Sequence, residues 1–365
     1  MEKVDLELII DGDGHINEDI PAIAEFLPPL FQKNFPGRAN IFPVLDHLHT
    51  PFKDTPANLT GRGIVGPIEW AEFLDDVGID TTVLYPTGGL AYGRIVGIDR
   101  AIAVTRAYND WLSETYLKVN PRVKGMALIP LQDPSTAVLE LRRVVEELGF
   151  LGAMLPSTGL ALPLGSKAYW PVYEEANRLG CCLSVHGGAH SGMGLDQMNN
   201  YVPVHALGHT FGQMISFGSI VFNGIFDMYQ NLRIAFLEGG ASWLIAALER
   251  FNSSHASHIE YRLDDNPPGP KPEEIVSDYV IRHIQAGKIF VGIEGDELGL
   301  GYTVDLVGSQ PFIYSSDFPH EVTNETCKEE IQELLERTDL KDTDKAAILN
   351  GNAAKFYKLQ PASKP

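Results

Sequence analysis

Short apolar runs alternate along the chain with segments in which apolar residues recur every three or four positions. The runs have the length of strands, and the periodic segments have the length of helices. Eight strand candidates begin near residues 6, 81, 123, 152, 182, 232, 288 and 312. Helical segments lie between most of them, including a long amphipathic stretch from about Asp99 to Val119. This alternation predicts parallel strands joined by helical crossovers.

Eight strand and helix units in 365 residues predict a distorted (β/α)8 TIM barrel with inserted loops and C-terminal helices. An open doubly wound sheet would carry a glycine-rich phosphate loop after its first strand, but DGDGHINE at that place is acidic and would repel a phosphate. We expect residues 1–365 to form a single domain. Residues 16–66 are rich in Pro, Phe, Asn and Gly without a clear period, which predicts a long ordered excursion that serves as a lid or binding segment.

Metal-ligand residue types follow several of the predicted strands. The run Leu6 to Ile10 leads into Asp11, Asp13 and His15, which share one side of a strand-like continuation because side chains alternate with period two. Later strands end in His186, Glu238, Glu294 and Asp317. A closed barrel would bring the carboxyl ends of its strands to one mouth, so the pattern predicts a divalent metal site there. Each residue also has an ordinary explanation, such as a helix cap for Glu238 or Asp317.

The remaining histidines are assigned by their position in the pattern. His190, His205 and His209 fall in a loop predicted over 187–209, where His190 would face the substrate and His209 would handle protons. His47 and His49, in VLDHLHTP, follow no apolar strand and are interpreted as lid residues rather than ligands. Four others are interpreted as surface or structural residues: His255, His258, His283 and His320. Of these, His320 is close enough to Asp317 in the sequence to orient it.

Charge and composition narrow the function further. The chain has 48 acidic and 28 basic residues, and its formal net charge of −20 argues against a nucleic-acid or anionic-membrane surface. We expect no secretory leader at Met1 to Glu7 and no membrane helix, because no apolar run is long enough. Three cysteines do not make a disulfide framework, which favours the cytoplasm. Arg94, in TGGLAYGR, is a candidate anchor for an anionic substrate group.

Three motifs carry a family resemblance. IDGDGHINE lies near the start, FNGIFDMYQNLRIAFLEGGASWLIAALER in the middle, and IYSSDFPHE followed by ILNGNAAKFYKL near the end. In this order they resemble the amidohydrolase superfamily, in the branch that contains aminocarboxymuconate semialdehyde decarboxylase and resorcylate decarboxylases. The resemblance implies a metal-dependent distorted barrel with ligands from strands one, five, six and eight.

Carried onto this chain, the resemblance implies a metal set of Asp13, His15, His186, Glu238 and Asp317. The family often has H-x-H on strand one, where Asp13 and His15 stand here, and a histidine on strand six, where Glu238 stands. The extra carboxylates favour manganese or iron, while zinc also binds such ligands. We therefore predict one divalent ion (Zn, Mn or Fe), with room for a second, and Asp317, His209 and Glu238 as the catalytic residues.

The leading functional hypothesis is a metal-dependent hydrolase or decarboxylase that acts on a small carboxylated or cyclic organic molecule. The carboxylate-rich ligand set keeps open an iron- or manganese-dependent oxygenase on the same barrel. A third hypothesis is a non-catalytic partner subunit of such an enzyme. The resemblance also implies an oligomer, either a homodimer or a hetero-oligomer with a related chain.

Overall fold

Eight parallel strands form the centre of the molecule, as expected from the alternating pattern. The computed structural model describes residues 8–34, 41–49, 65–261 and 268–359. The strands pair in chain order from the first to the eighth, all in parallel. They are β1 Ile10–Ile16, β2 Thr81–Pro86, β3 Val123–Leu128, β4 Gly152–Pro156, β5 Cys182–His186, β6 Arg233–Phe236, β7 Ile289–Ile293 and β8 Phe312–Tyr314. The prediction of a TIM barrel is confirmed.

Helices connect successive strands. The α-helices are α1 Ile20–Glu25, α2 Pro29–Asn34, α3 Pro67–Val77, α4 Ile98–Leu112, α5 Pro134–Glu146, α6 Trp170–Leu179, α7 Tyr201–Phe222, α8 Ile225–Met228, α9 Ser242–His258, α10 Val276–Gln285, α11 Leu300–Val307, α12 Asn324–Glu336, α13 Asp342–Ala346 and α14 Asn352–Tyr357. Short 3-10 turns lie at Gly88–Arg94, Lys167–Tyr169 and Ile259–Tyr261, and π turns at Ser113–Leu117 and Ala347–Gly351. Among the described residues, no helix is both long and apolar enough to cross a membrane.

Strand β1 differs from its predicted course. The strand begins at Ile10 rather than Leu6, which lies outside the described residues, and it contains the acidic stretch instead of ending before it. Its pairing with β2 shifts between Asp11 and Gly14, which is a bulge that breaks the alternation of side chains. Asp11 therefore lies on the same side as Gly14 and not with Asp13 and His15. The prediction that all three side chains share one side is wrong for Asp11.

Asp11 instead joins three strands. Its carboxylate accepts hydrogen bonds from Thr82 Oγ1 of β2 at 2.6 Å, and from the backbone N–H and hydroxyl of Ser316 after β8 at 2.8 and 2.9 Å. The backbone N–H of Asp317 donates to the carbonyl of Asp13 at 2.9 Å, so the segment after β8 meets β1 and closes the barrel. A buried carboxylate needs such donors, because an unpaired charge is costly in the interior.

Two connections also differ from the sequence prediction. The predicted loop 187–209 is helical from Tyr201, because the side chain of Asn200 accepts the N–H of Val202 and caps α7. His205 and His209 therefore lie on a helix. The predicted loop 252–272 is helical up to His258. In the excursion, α1, α2 and residues 41–49 are described, while 35–40 and 50–64 lie outside the described residues.

Candidate metal centre

Five residues from the ends of four strands converge at the carboxyl-terminal mouth of the barrel. We call this set the mouth cluster: Asp13, His15, His186, Glu238 and Asp317. His186 Nε2 lies 3.3 Å from Asp13 Oδ2, and His15 Nε2 lies 3.6 Å from Asp13 Oδ1 and 3.3 Å from Asp317 Oδ1. His186 Nδ1 lies 3.3 Å from Glu238 Oε2. The structure thus brings together every residue that was predicted to bind the metal.

The mouth cluster holds five buried polar atoms that make no well-aligned hydrogen bond among the described residues, although Glu238 Oε2 and Asp317 Oδ1 each lie 2.8 Å from a histidine nitrogen. These atoms are Asp13 Oδ1, His15 Nε2, His186 Nε2, Glu238 Oε2 and Asp317 Oδ1. Buried polar atoms are nearly always paired in folded proteins, so five such atoms facing one another need a ligand. Their ligand atoms form two groups, each within 4.8 Å: Asp13 with His15 and His186, and His15 with Glu238, Asp317 and the neighbouring His320. Imidazole nitrogens and carboxylate oxygens in this arrangement fit a divalent cation.

The second nitrogen of each strand histidine sets which tautomer faces the cluster. His15 Nδ1 lies 2.8 Å from the carbonyl of Pro86, an acceptor, so this nitrogen carries the proton. His186 Nδ1 faces the carbonyl of Gly187 at 3.5 Å and the carboxylate of Glu238. In both rings Nε2 faces the mouth cluster, and in the neutral ring with Nδ1 protonated it would offer the lone pair that a metal requires.

Two carboxylates of the mouth cluster sit on strained backbone. Glu238 has φ 60° and Asp317 has φ 53°, in the left-handed region that favours glycine. Such conformations cost about 1–3 kcal/mol each and concentrate at functional sites. Gly187 leaves room for two side chains next to it, because a Cβ at position 187 would overlap both His209 Nδ1 and Glu238 Oε2.

Burial and mutual charge shift the ionisation of the mouth cluster. Burial raises the pKa of Asp13 to about 7, and it also raises the pKa of Asp317. Burial alone would lower the pKa of His186, but the adjacent Asp13 and Glu238 raise it to about 9. Burial alone would raise the pKa of Glu238, but His209 and His186 hold it well below its ordinary value. Carboxylates crowded in this way are a place where a bound cation is stabilised.

His320 supports Asp317 from behind. Its Nδ1 lies 2.8 Å from Asp317 Oδ1, its Nε2 lies 3.0 Å from Thr87 Oγ1, and its ring stacks on His15 at 4.1 Å between centroids. Burial alone would lower the pKa of His320, but the charge of Asp317 raises it to about 9. Glu18 fixes the loop that carries Thr87 by accepting backbone N–H groups at 87, 88 and 89. His320 is thus buried and orients Asp317, as its sequence position suggested.

A cavity of 330 Å³ opens beside the mouth cluster. Glu238 and Asp317 line it together with His205 and His209 of α7. His209 Nδ1 lies 2.8 Å from Glu238 Oε2, which puts the histidine next to a cluster member. Glu294 also lines the cavity, but its side chain is exposed and it is in none of the ligand groups found among the described residues. His205 and His209 therefore face this cavity from a helix rather than a loop.

Arg94 lies away from this cavity. Its guanidinium is exposed and donates to the carbonyl of Val44 at 3.3 Å and to Ser191 Oγ at 3.0 Å. It lines a separate groove of 550 Å³ with residues such as Gln132 and Leu160. The structure does not bring Arg94 to the mouth cluster, so its part as a substrate anchor stays a prediction.

A second group of polar side chains lies next to the mouth, and sequence reasoning missed its central member, Asp46. Asp46 Oδ2 accepts from His190 Nδ1 at 2.8 Å and from His49 Nδ1 at 2.5 Å. Tyr201 OH lies 3.1 Å from His49 Nε2. We call Asp46, His49, His190 and Tyr201 the loop cluster. The one signal in the sequence that could have identified this cluster is the position of Asp46 directly before the H-x-H of VLDHLHTP. His47 instead meets the carbonyl of Met198 at 2.7 Å.

A parallel barrel with a carboxylate and histidine site at its C-terminal mouth defines the class of this protein, a metal-dependent barrel enzyme. The amidohydrolase family profile matches residues 10–359, and the chain belongs to that family. It is 25% identical over 288 residues to a 2-amino-3-carboxymuconate-6-semialdehyde decarboxylase from Dictyostelium discoideum, covering 79% of this chain and 74% of the relative. It is 27% identical over 324 residues to a gamma-resorcylate decarboxylase from Polaromonas, covering 85% and 92%.

Solved structures share the fold. A 5-carboxyvanillate decarboxylase from Novosphingobium aromaticivorans, with bound manganese and 3-methoxy-4-hydroxy-5-nitrobenzoic acid, aligns with a TM-score of 0.73 at 17% identity, over 96% of this chain and 97% of that one. A dihydroxybenzoic acid decarboxylase from Polaromonas, with bound manganese and 2-nitroresorcinol, aligns with a TM-score of 0.66 at 20% identity, over 97% and 98%. A divalent cation therefore agrees both with the described donor atoms and with what these proteins hold.

Proposed function

We propose that this protein is a metal-dependent decarboxylase that acts on a small carboxylated aromatic or cyclic acid. The observation that carries the proposal is the set of unpartnered ligand atoms in the mouth cluster, in a chain related to decarboxylases over most of its length. Asp13, His15, His186 and Asp317 would hold the cation, with Glu238 as a further ligand or as the partner of His186. The predicted homodimer, the hetero-oligomer and the cytoplasmic location stay predictions.

A bound divalent cation would neutralise the clustered carboxylates and draw electron density from a substrate oxygen. Asp317 is the proposed proton donor and acceptor. The bond between the ring carbon and the carboxyl group breaks, carbon dioxide leaves, and the electron pair that stays on the ring carbon takes a proton from the Asp317 carboxyl. His320, 2.8 Å from Asp317 Oδ1, would return the proton after turnover.

Glu238 and His209 are proposed to position the substrate ring next to the Asp317 carboxyl that donates the proton. Both line the cavity of 330 Å³, and His209 lies on helix α7. If a water molecule occupied the same position, Asp317 would take its proton and the site would hydrolyse the substrate instead. Whether the site decarboxylates or hydrolyses thus depends on whether a ring carbon or a water molecule lies next to Asp317.

The test is an assay of the full chain, stripped of metal and reloaded with manganese, on gamma-resorcylate and 5-carboxyvanillate. The expected result is loss of the acid with release of one carbon dioxide per molecule, abolished by chelation and restored by manganese. Asp317→Asn is the matched inactive control. Hydrolysis of esters or lactones without decarboxylation of either acid would contradict the proposal, and consumption of dioxygen would favour the oxygenase hypothesis.

A further inference from the structure

The loop cluster forms a hydrogen-bond network around one buried carboxylate. Asp46 is only 2% exposed, and each of its oxygens accepts two donors. Oδ1 accepts the backbone N–H groups of Leu48 at 2.8 Å and His49 at 3.0 Å. Oδ2 accepts the ring nitrogens of His49 and His190. A carboxylate with four donors stays ionised, and the pKa of Asp46 is about 2 although burial alone would raise it.

The network fixes the tautomer of both histidines. Because the Asp46 carboxylate can only accept, Nδ1 carries the proton in His49 and in His190. His49 Nε2 is then an acceptor and is paired with the hydroxyl of Tyr201. His190 Nε2 is an acceptor as well, but it is buried and has no hydrogen-bond partner among the described residues. One open acceptor therefore remains in an otherwise complete network.

The position of His190 links the loop cluster to the mouth cluster. Its ring meets the ring of His209 edge to face, with centroids 4.6 Å apart. Gly208 also packs against the His190 ring, so closely that a Cβ at position 208 would overlap three ring atoms. His209 in turn reaches Glu238, which faces the metal ligand His186. A contiguous series of side chains thus runs from the 41–49 loop to the candidate metal centre.

We propose that Asp46 is a positioning residue: it holds His190 in the Nδ1–H tautomer and at one ring orientation, and His190 thereby sets the position of His209 against Glu238. Only the expected effect of Asp46 on turnover rests on the proposed function. The tautomer and the ring position are properties of the chain itself. An aspartate that orients a histidine next to reacting groups is a recurrent arrangement in enzymes, because the wrong tautomer cannot make the required contact.

The experiment compares the full chain with Asp46→Asn, both loaded with zinc, by long-range proton–nitrogen correlation spectra of the imidazoles. The amide that replaces the carboxylate presents an N–H to His190 Nδ1, so we expect His190 to move to the Nε2–H tautomer and the His209 resonances to shift. In manganese-loaded protein, kcat on whichever of the two acids is consumed should fall about 10- to 100-fold with KM unchanged. His258→Gln, an exposed histidine at the end of α9 and outside the network, is the control and should change neither readout.

Gly208→Ala is the second variant, which keeps the test decisive if Asp46→Asn fails to fold. Alanine favours a helix over glycine, so α7 should remain intact while the new Cβ displaces the His190 ring. The expected result is a shift of the His190 and His209 ring resonances and a similar loss of kcat in a folded protein, since the helix propensity of alanine offsets part of the cost of displacing the ring. An unchanged His209 spectrum in a folded variant overturns the proposal.

Metal analysis separates the remaining alternative. Asp46, His49 and His190 also group closely enough to hold an ion. Two ions per chain in the native protein, falling to one in Asp46→Asn, would overturn the positioning role in favour of a second metal site. If neither acid is consumed, the proposed function fails while the spectra still decide the role of Asp46.

Discussion

The mouth cluster and the loop cluster contain the same kinds of side chain, yet their hydrogen bonding differs. In the loop cluster each oxygen of Asp46 accepts two donors, and only His190 Nε2 is left without a partner among the described residues. In the mouth cluster five buried atoms that face one another make no well-aligned hydrogen bond within the same part of the chain. The difference teaches that residue types alone do not distinguish a ligand site from a positioning network. Several unpaired buried atoms that face one another do, because single ones also occur elsewhere in the described chain, as at Tyr108 and Tyr279.

The largest effect is expected from Asp317→Asn, which removes a mouth-cluster carboxylate. An amide binds a cation weakly and cannot transfer the proton, so activity should fall by about 1,000-fold or more. Steady-state assay of the manganese-loaded protein measures this, with metal content determined in parallel. Asp75→Asn, which alters an exposed carboxylate that pairs with Arg122 outside both clusters, is the control and should keep full activity. Full activity in Asp317→Asn would mean that unpaired atoms do not identify the catalytic site.

A smaller effect is expected from Glu238→Gln, at the boundary between the two clusters. The variant keeps the shape of the side chain but loses the charge that faces His186 and His209, so activity or metal affinity should fall about 10- to 100-fold. Titration with manganese and steady-state kinetics measure the two effects separately. Glu294→Gln, in the same cavity but exposed, is the matched comparison and should change both by much less. Equal losses in the two variants would mean that the cavity responds only to its total charge.

The smallest effect concerns acid stability and tests the loop cluster. Burial alone would raise the pKa of Asp46, but the N–H of Leu48 and the charge of His49 hold it at about 2 in the folded chain. An unfolded aspartate titrates at about 3.9, so the stabilisation is present above pH ~4 and is lost as the pH falls toward 2. It amounts to about 2 kcal/mol. Urea unfolding of metal-free protein at several acid pH values should show a shallower decline for Asp46→Asn than for the native chain. Parallel declines would place the acid sensitivity elsewhere.

The sequence pattern predicted the barrel and the mouth cluster because both follow from local periodicity. Strands β5, β6 and β8 are short, largely apolar runs, and parallel strands must end at the same face. His186, Glu238 and Asp317 could therefore be assigned to one mouth without knowing any distance. The bulge in β1 could not be predicted, because it depends on donors from Thr82 and Ser316, far away in the chain.

The loop cluster could not be predicted for a related reason. Asp46 lies in a segment without a period, and its partner His190 is 144 residues further along the chain. The start of α7 was missed because its glycines weaken the helical pattern. Arg94 shows the opposite error. Its residue type fits an anion site, but its loop places it at a different groove from the mouth cluster. Whether a polar side chain in a long loop acts on a substrate depends on tertiary contacts that a single sequence does not contain.

The backbone at Glu238 and Asp317 has a consequence for evolution. Both positions would be more stable as glycine, yet the chain keeps a carboxylate at each, at a conformational cost that only selection for function opposes. A lineage that lost the activity should therefore drift toward glycine or asparagine at these two positions sooner than at buried Asp11, whose carboxylate links β1 to β2 and to the segment after β8. Among relatives, the pair of residues at 238 and 317 should separate working enzymes from descendants that retain only the fold.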